Sequence, residues 1–215
     1  LVFLTSFKFS KITPTSSGIA ERIPTCKVLS VVWGNIIDLN PCFMLSKRLN
    51  KSIKDYPDYP KKGIIFKDIS PIIADPELFS DLIDKIATYT FCKNTDAIIA
   101  IDARGFIFGS AVATIIKKPL ILARKKYKLP GVVIESSYGL EYGSDSLSIQ
   151  ESAILPFKKF VIVDDLLATG GTAKCVSDML KSKNKEILAL SVIIELSFLK
   201  GANNLDFPVF SEVKY

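Results

Sequence analysis

Apolar runs of strand length alternate with amphipathic segments along most of this 215-residue chain. The clearest helical pattern begins at Asp75–Pro76, a pair typical of an N-cap and a first helical residue. Its apolar positions recur at helical spacing and are Leu78, Leu82, Ile83, Ile86 and Tyr89. Four apolar runs are predicted to be buried strands, namely residues 96–102, 119–124, 160–165 and 187–196. Further helices are predicted within residues 103–118, after a glycine turn, and within residues 171–183.

This alternation predicts an α/β fold with a mostly parallel central sheet that is covered by helices on both faces. In open sheets of this kind, ligands bind beyond the carboxyl ends of the strands. Charged residues stand at these predicted ends, namely Asp102, Arg104, Arg124, Asp164 and Asp165. We therefore expect a functional site along this edge of the sheet.

Residues 1–43 differ from the rest, because they are rich in Ser and Thr, poor in acids and without clear periodicity. They can be a transit-like presequence, which tends to be basic and Ser-rich. Alternatively, they come from upstream sequence and the functional protein begins at Met44, the first methionine. We favour the second interpretation, since the organised pattern begins only after Met44. We treat residues 1–43 as a poorly organised extension and residues 44–215 as one domain.

Composition narrows the class of protein. The chain is 48% apolar and 23% charged, which is typical of a globular protein, and its net charge of +6 is too diffuse to indicate nucleic-acid binding. It contains no histidine, so a zinc site or a His-dependent catalytic triad is not expected. Its four cysteines have no CxxC spacing and are interpreted as reduced structural thiols. No apolar run reaches the length that a membrane span needs.

Two adjacent carboxylates, Asp164 and Asp165, close the third predicted strand in the sequence VIVDDLLATGGT. Adjacent like charges repel, and neither carboxylate is cheaply buried without a partner. Carboxylates accept hydrogen bonds from the vicinal hydroxyls of a ribose, and they can help to hold a magnesium ion, often through its waters. The pair therefore predicts a partner that is positive or rich in hydroxyl groups.

A glycine turn, ATGGT at residues 168–172, follows the aspartates and leads into a predicted helix. Because Gly170 and Gly171 have no Cβ, backbone N–H groups can point into a concavity at the positive end of the helix. Thr169 and Thr172 add hydroxyl donors. Although the turn is neither a Walker A sequence nor GxGxxG, it has the features of a phosphate cradle. Together with the aspartates, it predicts a ribose-phosphate site.

Five stretches in the same order resemble the adenine phosphoribosyltransferase family of type I phosphoribosyltransferases. They are residues 55–73, 101–109, 123–150, 161–172 and 191–201, and the resemblance does not reach residues 1–43. It implies a purine salvage enzyme that transfers the 5-phosphoribosyl group from phosphoribosyl pyrophosphate to adenine, giving AMP and pyrophosphate. It also implies a type I phosphoribosyltransferase fold with a small base-binding hood, a mobile lid and a cytoplasmic homodimer. An organelle location follows if residues 1–43 are a presequence.

The resemblance also implies a role for each site residue. The 5-phosphate is expected on Ala168, Thr169, Gly170, Gly171 and Thr172, and the ribose diol on Asp164 and Asp165. Pyrophosphate is expected on Asp102, Ala103, Arg104, Gly105, Arg124, Lys125 and Lys128, with Arg124 able to reach a neighbouring subunit's site. Mg²⁺ is expected to be held mainly by substrate and water, with Asp164 and Asp165 as possible ligands. No nucleic acid or membrane is expected as a partner.

Two further segments complete the expected site. Residues 135–150 are polar and contain glycine, which predicts a mobile lid rather than a rigid part of the core. By resemblance Glu141 acts near purine N7 as acid or base, and Tyr142 and Tyr138 help to close the lid. The implied catalytic residues are thus Glu141, Arg104 and Tyr142. Adenine is expected between Ile65 and Leu196, with Phe66 and Lys67 beside it, and Lys67 stands where several members of the family carry Arg.

Two alternatives of different classes remain. A phosphoribosyltransferase for hypoxanthine or guanine is disfavoured, because the motif here is VDDLLATGG rather than an EDIxDTG-type sequence. The second alternative is a non-catalytic regulator that senses a nucleotide and binds nucleic acid elsewhere. Neither a helix-turn-helix pattern nor an aromatic and basic RNA platform is visible. A complete lid sequence that includes Glu141 also favours turnover.

Overall fold

The computed structural model describes residues 29–32, 35–38, 41–140 and 143–215, with side chains for residues 44–137 and 146–215. The chain divides into two compact units, residues 1–40 and 41–215. In the first unit, strand β1 (Leu29–Val32) pairs with β2 (Asn35–Asp38) in antiparallel orientation. Side chains of the expected lid residues Tyr138, Glu141 and Tyr142 lie outside the described part of the chain.

The second unit contains helices and strands in alternation, as predicted. Its helices are α1 (Pro41–Ser52), α2 (Ser70–Ala74), α3 (Pro76–Thr88), α4 (Thr90–Asn94), α5 (Gly105–Ile116), α6 (Glu151–Ile154) and α7 (Gly171–Lys181). Its strands are β3 (Lys54–Pro57), β4 (Ile65–Asp68), β5 (Ala97–Ile101), β6 (Leu120–Lys125), β7 (Val133–Leu140), β8 (Gly143–Gln150), β9 (Lys159–Leu167), β10 (Glu186–Glu195) and β11 (Val209–Lys214). Two short 3-10 helices cover Ser197–Leu199 and Gly201–Asn204.

A seven-stranded sheet with the order β11-β10-β9-β5-β6-β8-β7 forms the centre of this unit. The first five strands of that order pair in parallel, while β8 pairs antiparallel with both β6 and β7. A separate antiparallel hairpin is formed by β3 and β4. The predicted α/β class with a mostly parallel sheet is therefore confirmed.

The central strands are buried on both faces, which explains their continuous apolar sequences. Ile98 packs in a cluster with α1, α3 and α5, whereas the next residue, Ile99, packs in a second cluster with α7. Successive residues of a strand point to opposite faces, so the two clusters lie on opposite sides of the sheet. Pairing of Ala100 with Val163 places the carboxyl end of β5 beside the part of β9 that leads to Asp164 and Asp165.

Two predicted details differ in the structure. Asp75 does cap α3, accepting hydrogen bonds from Glu77 N and Leu78 N, but the helix ends at Thr88 and Tyr89 separates it from α4. The expected strand end at Asp165 is wrong, because pairing with β10 continues β9 to Leu167. No helix among the described residues is long and apolar enough to cross a membrane.

The expectation that residues 135–150 stand apart from the core is wrong for part of this segment. They belong mostly to the β7–β8 hairpin, and β8 pairs with the end of β6. This pairing brings Leu147 and Ile149 into the buried core. The base of the expected lid is thus anchored in the central sheet, while its tip includes residues 141 and 142, which the structure does not describe.

Candidate active site

The paired aspartates of β9 lie beside the turn that follows β5. Asp165 is only 7% exposed, and its Oδ2 lies 2.8 Å from Nη2 of Arg104 in an ion pair. Asp164 Oδ1 accepts a hydrogen bond from the backbone N–H of Asp165 at 2.9 Å. The predicted convergence of Arg104 with the two aspartates is therefore present in the fold.

Burial controls the protonation of both carboxyl groups. Desolvation raises the pKa of Asp164 well above 3.8, and the nearby charge of Asp165 raises it further. Desolvation also raises the pKa of Asp165, while the charge of Arg104 acts in the opposite direction. Ligands that donate hydroxyl hydrogen bonds or bring positive charge would relieve this cost. A ribose diol or a hydrated cation has that chemistry.

The glycine turn lies between the end of β9 and the start of α7. Gly170 has a φ of +84°, a left-handed conformation that glycine adopts without strain. Asn204 Nδ2 donates to the carbonyl of Thr169 at 2.9 Å and so fixes the turn from outside. A cavity of about 120 Å³ lies here and is lined by Asp164, Leu166, Leu167, Ala168, Thr169, Gly170, Thr172, Ala173, Leu190 and Val192. The predicted phosphate turn and ribose carboxylate thus share one concavity.

Gly201 packs against the glycine turn, a contact that the sequence patterns did not predict. A Cβ at this position would lie 2.1 Å from the carbonyl oxygen of Ala168 and 2.9 Å from the backbone nitrogen of Gly170. Only a glycine lets the two chain segments approach this closely. The available signal was its place at the end of residues 191–201, one of the stretches that carry the family resemblance.

The basic segment at the end of β6, residues 124–128, is held by a carboxylate. Asp102 Oδ2 accepts from Arg124 Nε and from the backbone nitrogen of Lys125, both at 3.4 Å. Arg124 Nη1 also donates to the carbonyl of Lys128 at 3.3 Å. The peptide bond between Asp102 and Ala103 is cis. Asp102 therefore orders the cationic segment as well as standing beside the Arg104 turn.

The β3–β4 hairpin carries the expected base-binding residues. Phe66 lies under the guanidinium of Arg104, with 5.1 Å from Cζ to the ring centroid, and contacts Tyr59 edge to face. Ile65 is 56% exposed. Lys67 turns instead toward Asp55 and the ring of Tyr215. Phe66 thus joins the expected base-binding hairpin to Arg104, which pairs with Asp165.

Leu196, the other expected wall, comes directly after β10. Its backbone nitrogen donates to the carbonyl of Leu167 at 2.9 Å, which ties it to the end of β9. The side chain is partly buried against the core. Leu196 thus stands at the same edge of the sheet as the glycine turn that follows Leu167.

Asp164 and Asp165 fit a magnesium ion that takes most of its ligands from substrate and water. Among the described residues, no group of three or more His, Cys, Asp or Glu side chains could hold a metal. Two adjacent hard oxygen ligands, Asp164 and Asp165, suit Mg²⁺, which commonly uses one or two carboxylates together with substrate oxygens and water. The residues therefore fit an ion held mostly by its substrate.

Comparisons with known proteins identify the family of the chain. The Phosphoribosyl transferase domain family matches residues 72–206. An adenine phosphoribosyltransferase from Prochlorococcus marinus is 52% identical over 168 residues, which are 78% of this chain and 98% of that protein. The crystal structure of adenine phosphoribosyltransferase from Thermoanaerobacter pseudethanolicus has a TM-score of 0.76 at 38% identity, covering 79% of this chain and 99% of that one. The Saccharomyces cerevisiae enzyme, complexed with adenine and an imino-altritol bisphosphate, has a TM-score of 0.73 at 34% identity over 79% and 99% of the two chains. The chain that carries this carboxylate pair and glycine turn belongs to the adenine phosphoribosyltransferase family.

Proposed function

We propose that this protein transfers the 5-phosphoribosyl group from phosphoribosyl pyrophosphate to adenine, producing AMP and pyrophosphate in purine salvage. The observation that carries this proposal is the position of Arg104. Its guanidinium pairs with Asp165 in the ribose site and lies over Phe66 in the base-binding hairpin. One side chain thus connects the regions that the sugar phosphate and the base would occupy.

The 5-phosphate binds at the turn of residues 168–172. Backbone N–H groups at the start of α7 donate to the phosphate, and the helix dipole adds positive potential there. The ribose diol donates to Asp164 and Asp165, which reduces the cost of keeping two neighbouring carboxylates charged. Binding of the sugar is therefore coupled to the ionisation of both groups.

Pyrophosphate binds to the cations that face this edge of the sheet. Arg104 contributes from the turn after β5, and Arg124, Lys125 and Lys128 contribute from the segment that Asp102 orders. Positive charge there stabilises the leaving group as its negative charge develops. A magnesium ion held by Asp164 or Asp165, substrate oxygens and water supplies further positive charge when bound.

Adenine occupies the space between Ile65 and Leu196, and backbone groups near Ile65 and Lys67 contact its amino edge. Its N9 forms a bond to C1 of the ribose while the bond from C1 to pyrophosphate breaks, and pyrophosphate takes the electron pair. The proton of N9 leaves to a base. Positioning of the two reactants supplies much of the rate acceleration.

The tip of the β7–β8 hairpin completes the reaction site. Glu141 acts near purine N7 as acid or base, with Tyr142 as its neighbour in catalysis and Tyr138 in lid closure. Closure excludes water, which would otherwise attack the cation-like ribose.

The protein is expected to act as a homodimer in the cytoplasm, or in an organelle if residues 1–43 act as a presequence. Residues 44–215 would then form the phosphoribosyltransferase domain. Sedimentation of the purified chain measures the oligomer. Mass spectrometry of the native N-terminus, combined with cell fractionation, measures the processing site and the compartment.

AMP formation is the direct test of the activity. Parent protein, Asp165→Asn and Glu141→Ala receive phosphoribosyl pyrophosphate and Mg²⁺ with adenine, hypoxanthine or guanine. Asp178→Asn is the matched control, because this carboxylate is exposed and pairs with Lys174 outside the site. Adenine-specific turnover that falls strongly in the first two variants and not in the control supports the proposal. Turnover of another base, or sugar-phosphate binding without any turnover, would replace it with one of the two alternative functions.

A further inference from the structure

The ammonium of Lys67 contacts an aromatic ring and a carboxylate. It lies 3.7 Å from the ring centroid of Tyr215 and 2.8 Å from Oδ2 of Asp55. The Lys67 side chain is only 10% exposed. A cation over an aromatic face is attracted by the ring, and the attraction is stronger where water is excluded. The positive charge of Lys67 therefore interacts with the Tyr215 ring and the Asp55 carboxylate.

Only one of these two contacts ties the hairpin to the rest of the domain. Asp55 lies opposite Lys67 in the β3–β4 pairing, so their ion pair is internal to the hairpin. A two-stranded hairpin is marginally stable by itself and depends on packing against other elements. Tyr215 follows β11 of the central sheet, so its contact with Lys67 links the hairpin to that sheet.

The backbone of Tyr215 also holds the opposite wall of the pocket. Its N–H donates to the carbonyl of Glu195 at 2.9 Å, and its carbonyl accepts from the N–H of Ser197 at 2.8 Å. These two partners flank Leu196. Ile65 shares a face of β4 with Lys67, because side chains two residues apart in a strand point the same way. Tyr215 therefore contacts the segments that carry both expected adenine walls.

We propose that Tyr215 is a positioning residue that sets the separation of the two walls of the adenine pocket. The proposal rests on the proposed function, since it assigns the pocket to adenine. Its ring fixes β4 through Lys67, while its backbone fixes the segment of Leu196. Loss of the ring leaves the hairpin attached on the side of Phe66 and Arg104 but releases the side of Lys67. Adenine binding weakens, and the sugar-phosphate site is unchanged.

Steady-state kinetics of the full chain separates this role from general stabilisation. Tyr215→Leu removes the aromatic face, Lys67→Met removes the cation but keeps an apolar stem, and Tyr215→Phe keeps the face. We expect the first two to raise the KM for adenine about tenfold, with the KM for phosphoribosyl pyrophosphate within about twofold of the parent. Tyr215→Phe should keep the parent KM for adenine, because the aromatic face remains. A merely structural role would lower the melting temperature and kcat without this selective change.

The outcomes distinguish failure of this proposal from failure of the proposed function. A parent-like adenine KM in Tyr215→Leu, with normal parent turnover, overturns the positioning role alone. If Tyr215→Leu does not fold, a parent-like KM in Lys67→Met overturns it equally. If the parent protein neither forms AMP nor binds adenine or AMP in calorimetric titration, the proposed function fails and the positioning role fails with it.

Discussion

Gly105 and Asp164 approach so closely that no side chain fits between them. A Cβ at Gly105 would lie 2.8 Å from Oδ1 of Asp164 and 2.9 Å from the carbonyl oxygen of Val163. Gly105 begins α5, directly after Arg104, whereas Asp164 lies in the neighbouring strand β9. The turn expected to bind pyrophosphate and the carboxylate expected to bind ribose are therefore packed as one unit.

Gly105→Ala should weaken the sugar-phosphate site more than it weakens the fold. The carboxylate of Asp164 can rotate, but the carbonyl of Val163 is backbone and cannot yield easily. We expect kcat/KM for phosphoribosyl pyrophosphate to fall about tenfold or more, because small displacements of positioning groups are costly in catalysis. Ser110→Ala, at an exposed position of the same helix, is the control. Equal kinetics in the two variants would show that the close packing has no functional consequence.

Gly201→Ala should displace the glycine turn of residues 168–172, which is expected to bind phosphate. Because the new Cβ would overlap the carbonyl of Ala168 and crowd the nitrogen of Gly170, one segment must move. We expect a loss of about 2 kcal/mol in the free energy of unfolding, as for overpacking elsewhere, together with weaker binding of phosphoribosyl pyrophosphate. Chemical denaturation and calorimetric titration measure the two effects. Asn203→Ala, at an exposed position nearby, should leave both quantities at the parent values.

Local sequence patterns were sufficient for some features of this fold. The Asp75 cap depends on neighbouring residues alone, and the buried strands are continuous apolar runs. The extension of β9 past Asp165 required knowledge of its partner, because pairing of Leu167 with Glu195 joins distant parts of the chain. Burial of Leu147 likewise follows from pairing with Lys125 rather than from its polar surroundings.

The candidate site shows the same division. The aspartates and the glycine turn are contiguous in sequence, so their closeness in the fold could be predicted from residues 161–172, whereas their binding of ribose phosphate stays a prediction. Contact of Gly201 with Ala168 arises only because β10 lies beside β9, and contact of Lys67 with Tyr215 joins the hairpin to the last strand. No periodicity or local motif encodes such contacts. The catalytic role of Glu141 stays a prediction.

Asp164→Asn should stabilise the substrate-free protein at neutral pH while impairing activity. The pKa of Asp164 is raised above 3.8 in the folded state by burial and by Asp165. The unfolded state therefore loses its proton first, and parent stability falls as the pH rises from about 3.8 through the raised folded pKa. Asparagine does not titrate, so the variant should be more stable than the parent above this window and show no such gain below it.

Thermal denaturation between about pH 4 and pH 8 without substrate tests the sign of this effect. Asp206→Asn is an informative control, because the pKa of Asp206 is lowered by its hydrogen bond to Lys181. That substitution should make the protein no more stable at neutral pH. A melting-temperature gap between Asp164→Asn and the parent that stays constant across the range would assign the difference to packing instead.

A buried acidic group in β11 is expected to stabilise the fold without contributing to the reaction. Glu212 is enclosed by the end of α3, where Lys85 Nζ lies 2.6 Å from Oε2 and the hydroxyl of Tyr89 donates to Oε1 at 2.9 Å. Tyr89→Phe should cost about 1.5 kcal/mol, since a hydrogen bond to a charged group is lost. Lys85→Met should cost about 2 kcal/mol or more, because it leaves a buried carboxylate without its cation. Lys93→Met, at an exposed position, is the control for loss of charge.

Tyr89→Phe and Lys85→Met should keep the parent kcat at 25 °C, together with the parent KM values for adenine and phosphoribosyl pyrophosphate. None of the substituted residues is expected to contact substrate. Urea denaturation should show lower midpoints with an unchanged slope, which identifies a change in stability rather than in compactness. If Lys85→Met instead raised the KM for adenine, β11 would transmit the loss to Tyr215, and the adenine pocket would depend on this ion pair. A parent-like urea midpoint for Lys85→Met would show that water replaces the Lys85 ammonium without loss of stability. The hydroxyl of Tyr89 would then be sufficient to stabilise the buried Glu212 carboxylate.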